Sequence, residues 1–197
     1  PGIKKAVVKM NDGFSGEGNA VFSFKNIIAG EDIEAQVRQQ LPLQLNIVAN
    51  DLSYIQFIKK FTGMGGIVEA FVESKEKTTP SVQCRINPLG KIDIISTHDQ
   101  LMGGLDDQVF LGGTFPAAAE YSIEVGNIAR QIATVLKSKG VLGRFGVDFL
   151  SVKEDKQWKH YAIEINLRKG GTTHPYIMLQ FLTNGNYNAD TGKYLLP

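Results

Sequence analysis

The segment Glu164-Ile165-Asn166-Leu167-Arg168-Lys169-Gly170-Gly171 follows an apolar, strand-like run and alternates polar with apolar side chains up to Arg168. Successive residues of a β-strand point to opposite faces, so the alternation fits a strand with Glu164, Asn166 and Arg168 converging on one side. Sixteen residues before Glu164, a second strand-like run, Phe145-Gly146-Val147-Asp148-Phe149-Leu150, offers another acid. Together the two runs outline a magnesium and phosphate site.

Mg²⁺ takes hard oxygen ligands in octahedral geometry and keeps waters and nucleotide phosphates as partners. The carboxylates of Asp148 and Glu164 and the amide oxygen of Asn166 suit it. Arg168 cannot coordinate a cation. Its planar fork of donors can instead grip a phosphoryl group or an acyl phosphate through two bonds and stabilise charge in transfer. A strand with a solvated polar face gives the same pattern when read alone, so other segments have to decide.

The chain's 197 residues suit one large domain or two small lobes and are enough for a real core. Lys and Arg number 21 against 20 Asp and Glu, and the net charge of +1 supplies no global field for nucleic acid or an anionic membrane. Any anion site is therefore local. The single cysteine, Cys84, excludes an internal disulfide and a multi-cysteine zinc site, and its expected role is strand packing. No apolar run reaches the ~18 residues of a transmembrane helix, and the N-terminus lacks the secretory pattern. The expectation is a soluble, cytoplasmic protein without a membrane partner. The chain opens without Met and reaches the strand-like Ala6 to Met10 after five residues, as an excised piece of a longer protein does.

Ala6 to Met10 and Ala20 to Phe24 read as β segments around Asn11-Asp12-Gly13-Phe14-Ser15-Gly16-Glu17-Gly18-Asn19, whose glycines permit a tight, backbone-exposed turn. Periodicity predicts helices over 31–40 and 50–61. Ile33, Val37 and Leu41 would share one face of the first; Ile55 and Ile58 mark the second, with Asp51 or Ser53 at its start. Ile67 to Glu73, Ser81 to Ile86 and Ile92 to His98 are rich in β-branched residues and predict an antiparallel set. From Ala117 to Lys139, Ile123, Ile128, Ile132, Val135 and Leu136 recur near helical spacing, with Gly140 as the stop. The strands around Asp148 and Glu164 follow, joined by a charged turn at 153–156, and a short helix is expected over Pro175 to Leu182.

Lys9 stands at the end of the first strand, where an ammonium and the backbone N–H groups of the glycine-rich turn could hold nucleotide phosphates. Neither G-x-x-x-x-G-K-[ST] nor a G-x-G-x-x-G ahead of a helix is present, which removes support for P-loop and Rossmann readings. An ordinary hairpin turn also accounts for Gly16 and Gly18. Val68-Glu69-Ala70-Phe71-Val72-Glu73 has the pattern of a strand whose backbone meets an adenine edge while Phe71 packs nearby. Glu69, Glu73 and Glu76 are candidates for ribose hydroxyls, although for each acid, and for Arg85, a solvated surface position fits as well. Cys84, His98, His160 and His174 form no recognisable metal or triad spacing, and hydrogen-bonded structural roles are expected for His98 and His160.

The order of these elements resembles the ATP-grasp superfamily: lysine strand, glycine-rich loop, E-x-F-V hinge strand, helix, acid-bearing strand, then E-x-N-x-R. More narrowly, Val7-Val8-Lys9-Met10-Asn11-Asp12-Gly13, Gly146-Val147-Asp148-Phe149 and residues 164–175 are similar to the pheganomycin-type peptide ligases. The resemblance implies an α+β fold with two lobes, mainly antiparallel sheets and a nucleotide gripped between them. It divides the chain into a small lobe over 1–70, with the phosphate loop, and a large lobe over 71–197, with the metal site.

On this resemblance Lys9 would contact the nucleotide phosphates and act in catalysis, and Gly16 and Gly18 would belong to the loop covering them. Glu69, Phe71, Val72 and Glu76 would serve the adenine and ribose. Asp148, Glu164 and Asn166 would hold magnesium, and Arg168 would steady the transferred phosphoryl group. Arg85, Thr172, Thr173 and His174 would border the substrates. The implied reaction joins a small-molecule carboxylate to an amine, an amino acid or peptide, through an acyl phosphate, with release of ADP and phosphate. ATP-grasp enzymes normally carry a preceding domain and another nucleotide-binding lysine upstream, so an upstream domain or second chain would complete the site. A non-catalytic ATP-binding or regulatory module and a small-molecule kinase are the competing readings.

Overall fold

The computed structural model describes residues 2–13, 18–104 and 109–197. Gly16, expected in the phosphate-covering loop, lies outside the described residues. The chain divides into two compact units, Pro1–Glu73 with Met102–Phe110, and Ser74–Leu101 with Leu111–Pro197.

The first unit contains β1 (Lys5–Met10), β2 (Asn19–Ser23), α1 (Ile33–Gln44), β3 (Leu45–Ile47), α2 (Tyr54–Met64) and β4 (Gly66–Ala70). Its strands form an antiparallel sheet in the order β3-β2-β1-β4. Asp32 caps α1 by accepting the Ala35 N–H at 3.1 Å. Ser53, not Asp51, starts α2 through a reciprocal capping box with Gln56.

The expected apolar faces of these helices are buried only in part: Ile58 packs on the core cluster, half-buried. Phe57 is 0% exposed whereas Ile55 is 77% exposed. The ring of Phe57 stacks on that of Phe61 one turn on, and this pair seats α2 against Met10 and Ala20. No residue of α1 is buried: Ile33 and Leu43 are 51% and 79% exposed, and Val37 and Leu41 are half-buried. β4 stops at Ala70, so Phe71, Val72 and Glu73 lie past the strand, contrary to the expected hinge strand.

The second unit contains β5 (Lys77–Thr78), β6 (Pro80–Ile86), most of β7 (Ile92–Gly103) and β8 (Val109–Thr114), then α3 (Ser122–Ser138), β9 (Gly143–Glu154), β10 (Gln157–Asn166), α4 (Thr173–Thr183), β11 (Asn186–Asn188) and β12 (Lys193–Leu195). The main sheet runs β10-β9-β6-β7-β8, with β5 added on β9, and β11 and β12 form a separate hairpin. One face of the sheet is apolar. Val82, Cys84 and Ile86 of β6 and Phe145, Val147 and Phe149 of β9 pack there against Val125, Ala129 and Ala133 of α3. Burial pushes the Cys84 thiol up to about 12, which leaves it protonated and inert.

α3 begins later than the periodicity predicts. The N–H of Ala117 goes to Thr97 O at 3.0 Å and that of Ala118 to Asp99 Oδ2 at 2.8 Å, so these donors are taken by β7 before a helix can form. The helix ends as expected, with Gly140 at φ +81° and Val141 N–H on Leu136 O. Among the described residues no helix is long and apolar enough to cross a membrane.

Candidate functional site

On the face of the main sheet opposite its apolar core, the antiparallel register aligns polar residues in rows. Ser81 of β6, Asp148 of β9 and Glu164 of β10 form one row; Gln83, Gly146 and Asn166 form the next; Arg85 and Arg144 form a third. A bulge makes the first row possible. Ala162 pairs with Phe149, yet Glu164 pairs with Asp148, so Ile163 is an extra residue on β10. Without it Glu164 would pair with Val147 and project to the apolar side.

Asn166 donates from Nδ2 to Asp148 Oδ2 at 3.0 Å. Asp148 and Asn166 are half-buried, and Glu164 is exposed. Burial raises the Asp148 carboxyl to about 6, and the nearby charge of Glu164 pushes the same way; hydrogen bonds from Ser81 and Gln100 and the charge of Arg168 oppose it. Two acids held close in a partly desolvated row fit a divalent cation, which would offset both the burial and the repulsion. The donor set is two carboxylates and an amide. Among the described residues no group of three or more His, Cys, Asp or Glu side chains forms a metal cluster. The Asn166 amide would have to turn its oxygen inward to ligate.

Arg168 lies just past β10, exposed, with its N–H on Asn166 O at 2.7 Å and Nη1 on Lys169 O at 3.2 Å. Arg85 is exposed and faces Arg144 directly across the ladder. Thr172 and Thr173, expected to border a substrate, are 8% and 3% exposed; His174 is exposed. Glu76 has its carboxylate 3.8 Å from Lys153 Nζ and accepts the Lys153 N–H on its carbonyl. His98 is buried with Nε2 2.8 Å from Ser96 Oγ, and burial holds it down to about 4. His160 places Nδ1 2.6 Å from Ser151 Oγ.

In the first unit, Lys9 and Glu69 sit diagonally on β1 and β4 and form an ion pair at 2.6 Å. Gly18 continues the β1–β2 ladder by accepting the Met10 N–H at 3.0 Å. Phe71 donates its N–H to Lys5 O at 3.0 Å while its ring lies under Lys5 Nζ, and Val72 is half-buried beside it. Glu73 lies 3.4 Å from Lys4 Nζ.

Sequence reasoning missed Ser81, Gln83, Gln100 and Arg144. The alternation of Ser81, Gln83 and Arg85 with Val82, Cys84 and Ile86 was the available signal for the first two.

A match to the family described as IQCH-like, ATP-grasp spans residues 29–190. The chain belongs to the ATP-grasp family. The matched stretch of this ATP-grasp chain contains Asp148, Glu164, Asn166 and Arg168 and begins after Lys9. The L-propargylglycine–L-glutamate ligase of Streptantibioticus cattleyicolor is 32% identical over 135 residues, 68% of this chain and 27% of that protein. IQ motif-containing protein H of Danio rerio is 23% identical over 143 residues, 72% of this chain and 13% of that protein. The chain therefore spans between 13% and 27% of the length of these curated relatives.

Among solved structures, the N5-carboxyaminoimidazole synthetase of Staphylococcus aureus complexed with ADP aligns with a TM-score of 0.56 at 15% identity, over 95% of this chain and 40% of that one. The biotin carboxylase domain of the Hydrogenobacter thermophilus 2-oxoglutarate carboxylase, in complex with MgADP, ADP and bicarbonate, aligns with a TM-score of 0.60 at 16% identity, over 91% and 33%. At these identities the likeness establishes the fold, the α+β ATP-grasp fold that the element order implies.

Proposed function

We propose that this ATP-grasp chain is the nucleotide and metal core of an ATP-dependent carboxylate–amine ligase that forms an amide between small molecules. The observation that supports this most is the Asn166–Asp148 hydrogen bond at 3.0 Å with Glu164 in register beside it, an oxygen-rich cluster on the strand that ends two residues before Arg168. The amino-acid ligase relative supports the reaction class.

In this reading Asp148, Glu164 and Asn166 hold Mg²⁺, which supplies fixed positive charge to the phosphates when bound. Lys9, released from Glu69, meets the phosphate tail. Gly16 and Gly18 belong to the loop beside it, and Glu69 to Val72 serve the adenine, with Glu76 a ribose candidate. A substrate carboxylate oxygen attacks the γ-phosphorus of ATP and ADP leaves. An amine nitrogen then attacks the acyl carbon, phosphate leaves, and the nitrogen loses its proton. Arg168 offsets charge on the transferring group and requires no covalent enzyme intermediate. Arg85, facing Arg144, suits a carboxylate, and exposed His174 stands on the acceptor side.

The test is incubation with ATP, Mg²⁺ and pools of amino acids while ADP, AMP and new amides are followed. Amine-dependent ADP and amide are expected. AMP with pyrophosphate overturns the acyl-phosphate route, and ADP release without any amide makes the chain a kinase. Binding of MgATP with no turnover would favour the non-catalytic module.

A further inference from the structure

A buried polar chain runs from the acids to the loop that carries Arg168. The Gly170 N–H donates to Thr173 Oγ1 at 3.1 Å, and the Thr173 hydroxyl donates to Gln83 Oε1 at 3.3 Å. Gln83 Nε2 donates to Ser81 Oγ at 3.4 Å, and Ser81 faces Asp148 directly across the β6–β9 ladder. Ser81, Gln83 and Thr173 are 3%, 7% and 3% exposed, so water does not stand in for these partners.

The direction of the chain is fixed. The Gln83 amide nitrogen only donates, so Ser81 Oγ accepts from it and keeps its own O–H for the Asp148 side; the Gln83 amide oxygen only accepts, so the Thr173 hydroxyl donates to it and leaves its oxygen for the Gly170 N–H. Bonds aligned this way in a low-dielectric interior polarise one another. Gly146 makes the room, since a Cβ there would lie 3.0 Å from Gln83 Nε2. Arg168 stands between the two anchors of its loop, its own N–H on Asn166 O and Gly170 on Thr173.

We propose that Gln83 and Thr173 are positioning residues that lock the Arg168–Gly170 loop to Asp148, setting the phosphoryl-gripping guanidinium and the cation-holding carboxylate as one unit. The kinetic consequence rests on the ligase reading; the lock itself rests on this hydrogen-bond chain.

The first test uses the whole chain without ligand. Gln83→Met removes the middle of the chain without touching Gly170, and amide exchange at Gly170 is expected to accelerate about tenfold, with β1–β4 amides unchanged. Unchanged Gly170 exchange in the folded variant overturns the lock. If Gln83→Met does not fold, Gln83→Asn keeps the amide but shortens its reach and answers the same question.

The second test follows ADP release with MgATP and mixed amino acids. Gln83→Met and Thr173→Val are each expected to lose about 10- to 100-fold in turnover with MgATP affinity within about threefold; Thr173→Ser restores it, and the double variant is no worse than either single one. Independent, multiplying losses overturn the proposal. If the wild-type chain releases no ADP, the ligase reading fails while the exchange measurement still decides the lock.

Discussion

The β3-β2-β1-β4 sheet and the β10-β9-β6-β7-β8 sheet share the same antiparallel ladder chemistry and differ in what closes their faces. In the first unit one buried cluster is Met10, Ala20 and Phe57, Val7, Val21 and Phe22 are buried as well, α1 buries nothing, and Ile67 and Val68 of β4 are 53% and 60% exposed. In the second, α3 lies across β6 and β9 through small residues, and six core side chains of those two strands are at most 1% exposed. The acids stand on the closed sheet, with a buried polar chain behind them. Lys9 stands on the first unit's sheet, in an ion pair with Glu69. The smaller core of the first unit is expected to open locally at lower free energy than that of the second.

The largest expected effect separates the two sites kinetically. On the ligase reading, Arg168→Ala should lower turnover by ~10³-fold or more while MgATP affinity stays within about threefold, as expected of a group that acts on charge developing in transfer. Lys9→Met should instead weaken MgATP binding by about 10- to 30-fold, the loss of one charged hydrogen bond. Calorimetry with single-turnover kinetics reads both, and an Arg168→Ala variant with normal turnover removes Arg168 from the chemistry.

Core truncation tests the cores directly. Phe149→Ala and Phe57→Ala each delete a fully buried ring and should cost about 3–5 kcal/mol where the ring is packed. Phe57→Ala should speed amide exchange in the first unit with β6 and β9 unchanged; uniform acceleration would mean that the two units open together.

Titration sharpens the same contrast within the second unit. His98 has its folded value lowered from 6.5 to about 4, so its contribution is full above the unfolded value and is lost as pH falls through that window, about 3 kcal/mol in all. Asp148 is shifted the other way, from 3.8 to about 6, so its contribution is present at low pH and is lost as pH rises through that window. The two slopes oppose each other. Denaturant melts without magnesium should show His98→Gln leaving a decline in stability with rising pH and Asp148→Asn leaving an increase. Identical pH profiles for the two variants would show that neither shift exists.

The smallest effect belongs to the first unit alone: Ser53→Ala removes the α2 capping box and should cost about 1 kcal/mol, visible as faster exchange in α2.

Much of this was legible in local pattern. The alternation through Glu164 and Asn166 and the acid of β9 were readable because strand side chains repeat every second residue, although Arg168 falls past the end of β10. Ser53 was readable as a cap because its partner Gln56 is three residues away. The short strands β3, β8, β11 and β12 went unread, since each holds its conformation through a partner ladder rather than through its own composition. Phe57 was passed over for Ile55 because periodicity says which residues share a face and not which face finds a partner.

Sequence by itself determined residue chemistry and local periodicity: the oxygen-bearing side chains of Asp148, Glu164 and Asn166, the guanidinium beyond them, the caps, the single cysteine and the near-neutral charge. Tertiary structure alone decided that Ile163 bulges and turns Glu164 onto the Asp148 face, that Gln83 reaches across from β6, and that Thr173 is interior. The physical reason is range. Propensity, capping and alternation act within about four residues along the chain, whereas β6 and β9 become neighbours only when the sheet buries its apolar face on α3, and every polar contact on the other side follows from that register.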